Sequence, residues 1–334
     1  MLSFAAVFLL LFVETDTTAD FDDFIAAYGK SYAKGTAEYA RREQIFENSR
    51  KRHEILNRGR VNEWDAIYGV NRFSDLTPSE FAEQFLMSSS VAKNATRPAS
   101  PLVENWNAET MQQKSFDWRD KGVLTSIRNQ KQCGSCWAFS VVETIESHYA
   151  IQSNVTPVPL SPQQFISCDS TSDGCKGGDI EKAMEWAESN DVTIVPEKAY
   201  PFTSGDGKDP SCITNLVSEG VKVVHHNYSK FISMEREMIP VLMTYGPMSV
   251  AVDASTWQDY ISGIIQHHCP SFTLDHAVQV VGYNFEGPVP YWIVRNTWGT
   301  GWGLDGYVYI KYDGNLCGIA EQVVWVLETR GVNL

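Results

Sequence analysis

The cysteines constrain this chain more than any other feature does. All of them lie after residue 132, so the first third of the chain must be stabilised by other means; they are Cys133, Cys136, Cys168, Cys175, Cys212, Cys269 and Cys317. Two form a Cys-x-x-Cys pair directly before a tryptophan, in NQKQCGSCWAFS. This pair allows three interpretations: a redox dithiol, part of a zinc site, or one structural cysteine beside one reactive cysteine.

The first residues predict a secretory route. Residues 2–13 are apolar, which is too short for a transmembrane helix but suits the core of a signal peptide, with cleavage between Val13 and Ala19. Disulfides persist on that route, and an odd number of cysteines leaves at least one thiol unpaired within the chain. Sequons predict glycosylation at Asn94, Asn154 and Asn227. We therefore expect either the lysosome or the extracellular space as the destination.

Composition and spacing divide the chain. A net charge of −14 argues against a nucleic-acid-binding protein. Apolar spacing predicts two amphipathic helices between Phe21 and Leu56, and we interpret the basic run at residues 50–52 as a solvated helix face. From about residue 87 the chain is rich in Ser, Pro, Asn and Ala, which is typical of an exposed, cleavable linker. The sequence thus predicts a signal peptide at residues 1–19, a small helical domain at 20–111 and a large domain at 112–334.

The large domain has helical sequence patterns in its first half and strand patterns in its second half. Helical spacing after Cys136, a capping-box pattern at Ser161 and Gln164, and an apolar face at residues 180–187 predict three helices. Short apolar runs bounded by Gly, Pro and Asn then predict strands at residues 248–252, 277–281, 291–294 and 307–310. Helices first and strands later predict an α+β fold of two unlike layers, with a cleft between them.

The sequence context favours one interpretation of the cysteine pair. A redox dithiol is disfavoured because no strand–helix–strand unit surrounds it. Zinc is disfavoured because Cys168 and Cys175 are seven residues apart and no second close pair exists. A thiolate nucleophile remains, because Cys136 stands where a helix should begin. Free N–H groups and the helix dipole at that position favour the thiolate.

The other groups that a thiolate nucleophile needs follow along the chain. His276 opens the most apolar strand, in TLDHAVQVVGY, where a polar residue faces a cleft or is hydrogen-bonded. The side-chain oxygen of Asn296, in YWIVRNTWGTGWG, can fix the tautomer of an imidazole, and Trp298 can exclude water from that hydrogen bond. Gln130 carries an amide that could form an oxyanion hole with the backbone N–H of Cys136.

The segments QCGSCWAFS, LDHAV and RNTWGTGWG, in this order, resemble the papain and cathepsin family of cysteine peptidases. The resemblance covers the chain from Phe21 to its end. It implies a papain-like fold, with a helical part, a barrel-like sheet part and a cleft between them, and a role for each site residue: Cys136 as nucleophile, His276 as general base and acid, Asn296 as its orienter, Gln130 as oxyanion donor and Trp298 as shield. It also implies three disulfides, Cys133–Cys175, Cys168–Cys212 and Cys269–Cys317, which leave Cys136 free. Neither a cofactor nor a metal is expected.

The N-terminal domain resembles the inhibitory proregion of the cathepsin L-like branch. One family motif, G-x-N-x-F-x-D, is matched by Gly69, Asn71, Phe73 and Asp75. A longer helical motif is matched by Glu38, Arg42, Phe46 and Asn57, while Ser49 and His53 depart from it. Such a proregion threads the cleft backwards and blocks it until the linker is cut, which places the mature N-terminus near Gln112. Our hypothesis is that protonation of Asp75 takes part in acid activation.

The resemblance also implies a substrate cleft. Gly177 and Gly178 would approach an extended peptide closely, and Asp275 would contribute through its backbone. The pocket for the second residue before the scissile bond, P2, is mostly apolar and maps to Asp179, Ile180, Ala251, Leu274, Ala277 and Gln322. Bulky hydrophobic P2 residues are therefore expected. Gln322 would add a polar floor, and Asp179 would tolerate a basic residue at the rim.

The sequence therefore predicts a cysteine endopeptidase made as an inactive precursor, since it contains nothing like the disulfide-closed, histidine-bearing loop of dipeptidase relatives. The expected partners are protein or peptide substrates, its own proregion and cystatin-like inhibitors, and the expected state is a monomer. The second hypothesis is a non-catalytic papain-like binding or inhibitory protein, which the presence of Cys136, His276 and Asn296 disfavours. A Cys-x-x-Cys thiol oxidoreductase is a remote third, which would release two thiols together rather than show one free thiol.

Overall fold

The computed structural model describes residues 20–87, 113–216, 218–271 and 273–334. The predicted signal peptide, the sequon at Asn94 and the linker up to Gln112 lie outside these residues. Within the described ranges, no helix combines the length and the apolar character needed to cross a membrane.

The N-terminal domain consists of three helices and one short strand: α1 (Phe21–Tyr28), α2 (Ala37–Arg58), β1 (Ile67–Tyr68) and α3 (Pro78–Phe85). Each helix starts on a side-chain cap, from Asp20, Thr36 and Thr77 in turn. At α3 the cap is a reciprocal capping box with Glu80, and Pro78 occupies the first helical turn, where its missing N–H costs nothing. A buried aromatic cluster joins α1 to α2; it comprises Phe21, Phe24, Tyr39 and Phe46.

The large domain begins with a helical layer: α4 (Cys136–Ser153), α5 (Pro162–Cys168) and α6 (Ile180–Ser189). A fourth helix, α7 (Met238–Thr244), lies in the second half. Ser161 caps α5 by accepting the N–H of Gln164, as predicted. The reciprocal half of the predicted capping box is wrong, because the Gln164 side chain bonds Thr193 and Val195 instead.

The strands of the large domain are β2 (Ser115–Asp117), β3 (Gly220–Ser229), β4 (Met248–Val252), β5 (Tyr260–Ser262), β6 (Ile264–Ile265), β7 (His276–Asn284), β8 (Tyr291–Arg295), β9 (Tyr307–Lys311) and β10 (Val323–Val332). Eight of them form one sheet in the order β3-β10-β4-β7-β8-β9-β6, with β2 paired to β7. Strand β5 pairs instead with β1 of the N-terminal domain. The predicted α+β architecture, helices before sheet, is confirmed.

Helix α4 joins the two parts of the large domain. It is buried on every side along most of its length and packs on β7 and β10. Burial on all sides requires its polar groups to find partners. Glu143 of α4 forms an ion pair with Arg295 at the end of β8, at 3.2 Å, and both side chains are fully buried. This pair fixes the first turns of α4 against the strand that leads into Asn296.

Candidate active site

Cys136 is the first residue of α4 and is fully buried. Among the described residues it is the one cysteine outside a disulfide. The structure joins the other cysteines as Cys133–Cys175, Cys168–Cys212 and Cys269–Cys317. One cysteine of the Cys-x-x-Cys pair is therefore structural and the other is a thiol. The one cluster of metal-type ligands found in the described ranges, Cys133, Cys175 and Asp209, has both cysteines in a disulfide and offers no thiolate to an ion.

The surroundings of Cys136 hold it as a neutral thiol in this structure. Burial raises the pKa of its thiol to about 12, which outweighs the opposite effect of the backbone N–H groups of Ala277 and Trp137. The contact with Ala277 places the sulfur beside the start of β7. The helix N-terminus alone would favour the thiolate, so the loss of solvent contact decides the protonation state here.

His276, the first residue of β7, is fully buried and directly precedes Ala277, whose backbone N–H contacts this thiol. Its Nε2 lies 2.7 Å from the Oδ1 of Asn296, and the indole of Trp298 stacks on the imidazole with ring centroids 4.6 Å apart. Since an amide oxygen only accepts, Nε2 carries a proton in this arrangement. Nδ1 has no hydrogen-bond partner among the described residues. Burial lowers the pKa of His276 to about 4, so the imidazole is neutral at moderate pH.

Gln130 is held on both sides. Its Oε1 accepts the Thr297 hydroxyl at 2.6 Å, which ties it to the loop that carries Asn296. Its Nε2 donates to the carbonyl of Cys133 at 2.9 Å and to the carbonyl of Phe85 at 3.1 Å. Phe85 is the last residue of α3. A carbonyl of the N-terminal domain therefore accepts a hydrogen bond from the side-chain amide that is predicted to bind an oxyanion.

The segment that follows α3 runs through the cleft. The N–H of Met87 donates to the carbonyl of Asp275 at 2.6 Å. A β-carbon at Gly177, whose φ is +131°, would lie 3.0 Å from the β-carbon of Met87, and one at Gly178 would lie 2.4 Å from the ring of Trp137. Glycine is therefore required at both positions for the backbone of the cleft to approach its neighbours this closely.

The rest of the N-terminal domain packs beside the cleft. Strand β1 pairs with β5 in antiparallel register. The rings of Phe73 and Phe81 meet the edge of Trp298 at centroid distances of 5.8 and 5.2 Å. Asn71 donates to the carbonyl of Gln258 at 2.7 Å. Three residues of the predicted G-x-N-x-F-x-D motif, Gly69, Asn71 and Phe73, thus contact the large domain directly.

Asp75 does not bond the large domain through its carboxylate, and its part in acid activation stays a hypothesis. Its carboxylate is bonded inside the N-terminal domain, to Lys30 at 2.7 Å and to the hydroxyl of Tyr32 at 2.6 Å. Two other carboxylates join the domains: Asp65 accepts the Nε2 of Gln266 at 2.6 Å, and Asp259 accepts two hydrogen bonds from Arg52 at 2.5 and 2.9 Å. The Nε2 of His53 lies 3.0 Å from the same group. We call these residues, Arg52, His53 and Asp259, the interdomain clasp.

Sequence reasoning missed this clasp. Arg52 belongs to the basic run that we interpreted as a solvated helix face, and that interpretation is wrong for this residue. The available signal was His53, which departs from the helical motif of the proregion and is buried in the structure. A titratable side chain in place of an aliphatic one indicates a polar partner across the interface.

The remaining predicted residues are placed as follows. The six residues predicted for the P2 pocket lie on or beside four elements: Asp179 caps α6, Ile180 opens it, Ala251 and Ala277 are paired on β4 and β7, Leu274 precedes β7 and Gln322 precedes β10. Their role as a P2 pocket stays a prediction. Gly69 donates its N–H to the carbonyl of Asp259 at 3.0 Å. The sequon at Asn154 is exposed at the end of α4, and that at Asn227 is half-buried on β3. Glycosylation at either stays a prediction.

Comparisons with known proteins agree with this geometry. Residues 112–327 match the family model described as papain family cysteine protease, and residues 21–81 match the one described as cathepsin propeptide inhibitor domain. Human cathepsin O is 41% identical over 283 residues, covering 83% of this chain and 85% of its own. Among solved structures, digestive procathepsin L2 from the larval midgut of Tenebrio molitor has a TM-score of 0.79 at 32% identity, covering 92% of this chain and 98% of its own. A recombinant stem bromelain precursor matches with the same TM-score and identity over 92% of this chain and 97% of its own.

Proposed function

The chain belongs to the papain family of cysteine proteases and is made as a zymogen with a cathepsin propeptide inhibitor domain, and from this premise we propose that Cys136, His276, Asn296 and Gln130 hydrolyse peptide bonds. The observation that carries the proposal is the buried hydrogen bond between His276 and Asn296, at 2.7 Å, beside a free thiol at a helix N-terminus. It supplies a nucleophile, a base and an orienter in one place.

The proposed reaction proceeds through an acyl-enzyme. The proton of the Cys136 thiol passes to His276, and the thiolate attacks the peptide carbonyl carbon. The carbonyl oxygen becomes an oxyanion, which the Nε2 of Gln130 and the N–H of Cys136 stabilise. His276 then donates its proton to the leaving amine, and the C–N bond breaks. A water molecule, deprotonated by His276, cleaves the thioester and releases the acid product.

The proregion contacts explain why the precursor is inactive. The carbonyl of Phe85 accepts a hydrogen bond from the Nε2 of Gln130 at 3.1 Å, the group that would stabilise the oxyanion. Burial raises the pKa of the Cys136 thiol and lowers that of His276, and Met87 of the proregion lies in the same buried cluster as Cys136. Both shifts oppose transfer of the proton from sulfur to nitrogen. When the segment from Phe85 to Met87 leaves and water enters, both pKa values should return toward the range in which the ion pair forms.

The remaining parts of the proposal concern processing and substrates. We place the boundary of the mature enzyme near residue 112, within the segment between the two family matches. The apolar walls formed by Ile180, Ala251 and Ala277 support bulky hydrophobic P2 residues. The mature enzyme would act as an endopeptidase and a monomer in the lysosome or outside the cell, where cystatin-like proteins would inhibit it.

Replacing Asn296 with alanine tests the orienting role. Hydrogen bonds to charged groups contribute about 1.5–3 kcal/mol, so kcat/KM of the processed enzyme should fall about 10- to 150-fold. The loss should appear mainly in kcat, because the imidazolium is stabilised during reaction rather than during substrate binding. Steady-state kinetics on a fluorogenic peptide, corrected for active-site concentration, measures both constants.

A suitable control is Asn284→Ala, at the opposite end of β7, where the side chain accepts the N–H of Glu286 and is hydrogen-bonded to Tyr291. This variant should change kcat/KM by less than about twofold. An Asn296→Ala enzyme with unaltered kcat would contradict the proposed role of Asn296.

A further inference from the structure

A cavity of about 430 Å³ lies between the N-terminal domain and the large domain. This volume is in the range of small-molecule sites, about 300–1,000 Å³. The described residues that line it include four cationic side chains and no carboxylate: Lys30, Arg42 and Arg72 come from the N-terminal domain, and Lys131 comes from the large domain. Such a lining is unexpected in a chain with a net charge of −14. We call this space the basic cavity.

Two of the four cations already have carboxylate partners outside the lining. The Nζ of Lys30 lies 2.7 Å from Asp75. Arg42 forms ion pairs with Glu38 at 2.6 Å and with Glu80 at 3.1 Å. These carboxylates hold Lys30 and Arg42 in place and cancel part of their field in the basic cavity.

Arg72 has no such partner among the described residues. It is half-buried, and its guanidinium makes one long hydrogen bond, from Nη1 to the carbonyl of Trp298 at 3.3 Å, and lies 5.2 Å from the ring centroid of Phe73. Burial lowers the pKa of Arg72, and the charge of Asp75, which is already bonded to Lys30, opposes this only in part. A half-buried guanidinium with N–H groups to spare is stabilised most by an anion that accepts them.

Lys131 is the second cation without a carboxylate partner in the part of the chain that the structure describes. Its backbone is left-handed, with a φ of 54°, and its N–H donates to the Oδ1 of Asn129 at 2.9 Å. Its stem packs along Gly205, where an added β-carbon would lie 2.5 Å from the Cδ of Lys131. The neighbouring carboxylate, Asp206, pairs with Lys208 instead. The stem of Lys131 is therefore fixed at the basic cavity while its ammonium group stays available.

We infer that the basic cavity binds a small polyvalent anion bearing phosphate or sulfate groups, with Arg72 and Lys131 as its donors. The planar guanidinium of Arg72 matches two oxygens of such a group, and Lys131 adds a point charge. Because the two donors lie on different domains, the complete site exists only while the proregion covers the cleft. The anion therefore stabilises the closed zymogen by mass action. This site is separate from the proposed catalytic residues.

The test titrates the full-length zymogen with pyrophosphate by calorimetry, at pH 7 and constant ionic strength. We expect one saturable site in the wild type. Binding should be about tenfold weaker or more in Arg72→Gln and in Lys131→Gln, because each loses a charged donor. Inorganic sulfate is titrated in parallel, and the tighter of the two probes identifies the anionic group that the site prefers. Calorimetry does not depend on the reactivity of Cys136, so its result is distinct from a failure of the proposed function.

A second readout measures closure. The rate at which a peptidyl epoxide labels the zymogen should fall about tenfold when free pyrophosphate is ten times its Kd. The matched control, Lys198→Gln, removes the same charge from an exposed residue outside the basic cavity and should bind pyrophosphate as the wild type does.

Three results would overturn the inference. The first is the absence of saturable binding of either probe by the wild-type zymogen. The second is equal binding of pyrophosphate by the wild type, Arg72→Gln and Lys131→Gln. The third is equal binding by the processed enzyme, which would show that the proregion contributes nothing to the site.

Discussion

Replacing Cys136 with serine is expected to lower kcat/KM of the processed enzyme by about 10⁴-fold or more, the loss typical of removing a catalytic nucleophile. Serine matches cysteine in size, so the buried start of α4 should fold as before. A hydroxyl at this position is not ionised by the neighbouring imidazole as a thiol is, because its pKa lies far higher. The measurement is hydrolysis of a peptide substrate by protein whose proregion has been removed by an added protease.

The control for this result is Ser153→Ala, at the exposed C-terminal end of the same helix, which should hydrolyse the peptide at the wild-type rate. Thermal unfolding of Cys136→Ser should match the wild type, which separates lost chemistry from lost structure. Hydrolysis by Cys136→Ser at more than about a tenth of the wild-type rate would show that Cys136 is not the nucleophile.

Replacing Asp259 with asparagine is expected to release the proregion from the cleft. The side chain of Asp259 is 3% exposed, and the Asn variant leaves Arg52 at the interface without its carboxylate partner. Breaking a buried charge pair at an interface costs about 2–5 kcal/mol. Arg52 is one-quarter exposed, so we expect the lower part of that range, about 2–3 kcal/mol, or a 30- to 150-fold larger open fraction. The rate at which a peptidyl epoxide labels the full-length zymogen at pH 7 measures that fraction.

The interdomain clasp also predicts how closure of the zymogen depends on pH. Burial acts to raise the pKa of Asp259, but hydrogen bonds from Arg52 and His53 outweigh it and hold the pKa below the usual value of 3.8. A carboxyl whose pKa is lowered in the closed form takes up a proton on opening. Its contribution to closure is therefore complete above pH about 4 and is lost as pH falls through the lowered pKa. As the pH falls below about 4, the labelling rate should therefore rise more in the wild type than in Asp259→Asn.

The control is Asp191→Asn, because it removes an exposed carboxylate that pairs only with residues of the large domain, Lys222 and Arg330. Its labelling rate should follow the wild type at every pH. Equal labelling of the Asp259→Asn and wild-type zymogens at pH 7 would show that the interdomain clasp does not hold the proregion.

Local sequence signals predicted much of the fold. The start of α3 follows from Thr77, Pro78 and Glu80, which act within one helical turn. The start of α4 at Cys136 was predicted from helical spacing in the same way. Strand β4 was predicted with its observed bounds, Met248–Val252, because both of its faces are buried and every residue is small, apolar or serine. Each of these signals depends on residues close together in the chain.

Features that depend on distant partners could not be predicted. Strand β10 was missed, since Glu, Thr, Arg and Gly interrupt its apolar pattern at residues 328–331, and this part gains its strand conformation from pairing with β3. Strand β3 stays extended through His225 and His226, where the same pairing holds it. The contact of Gln130 with the carbonyl of Phe85 likewise joins residues 45 apart, and no local pattern encodes it.

The candidate site likewise combines features that local sequence predicts with features that depend on distant residues. The chemistry of Cys136, His276 and Asn296 was visible as residue types in characteristic segments. Their protonation states were not, because burial of the thiol reverses what the helix N-terminus of α4 alone would favour. Asp259 carried no sequence signal of its own, since its partners on α2 lie about two hundred residues earlier in the chain.

The most direct test of the account is to label the acid-processed enzyme with a peptidyl epoxide and map the modified residue by peptide mass spectrometry. We predict one equivalent of label per molecule, on the sulfur of Cys136, with loss of hydrolysis in proportion to labelling. Label on any other residue, or a processed and active enzyme in which Cys136 is joined to another cysteine, would contradict the account.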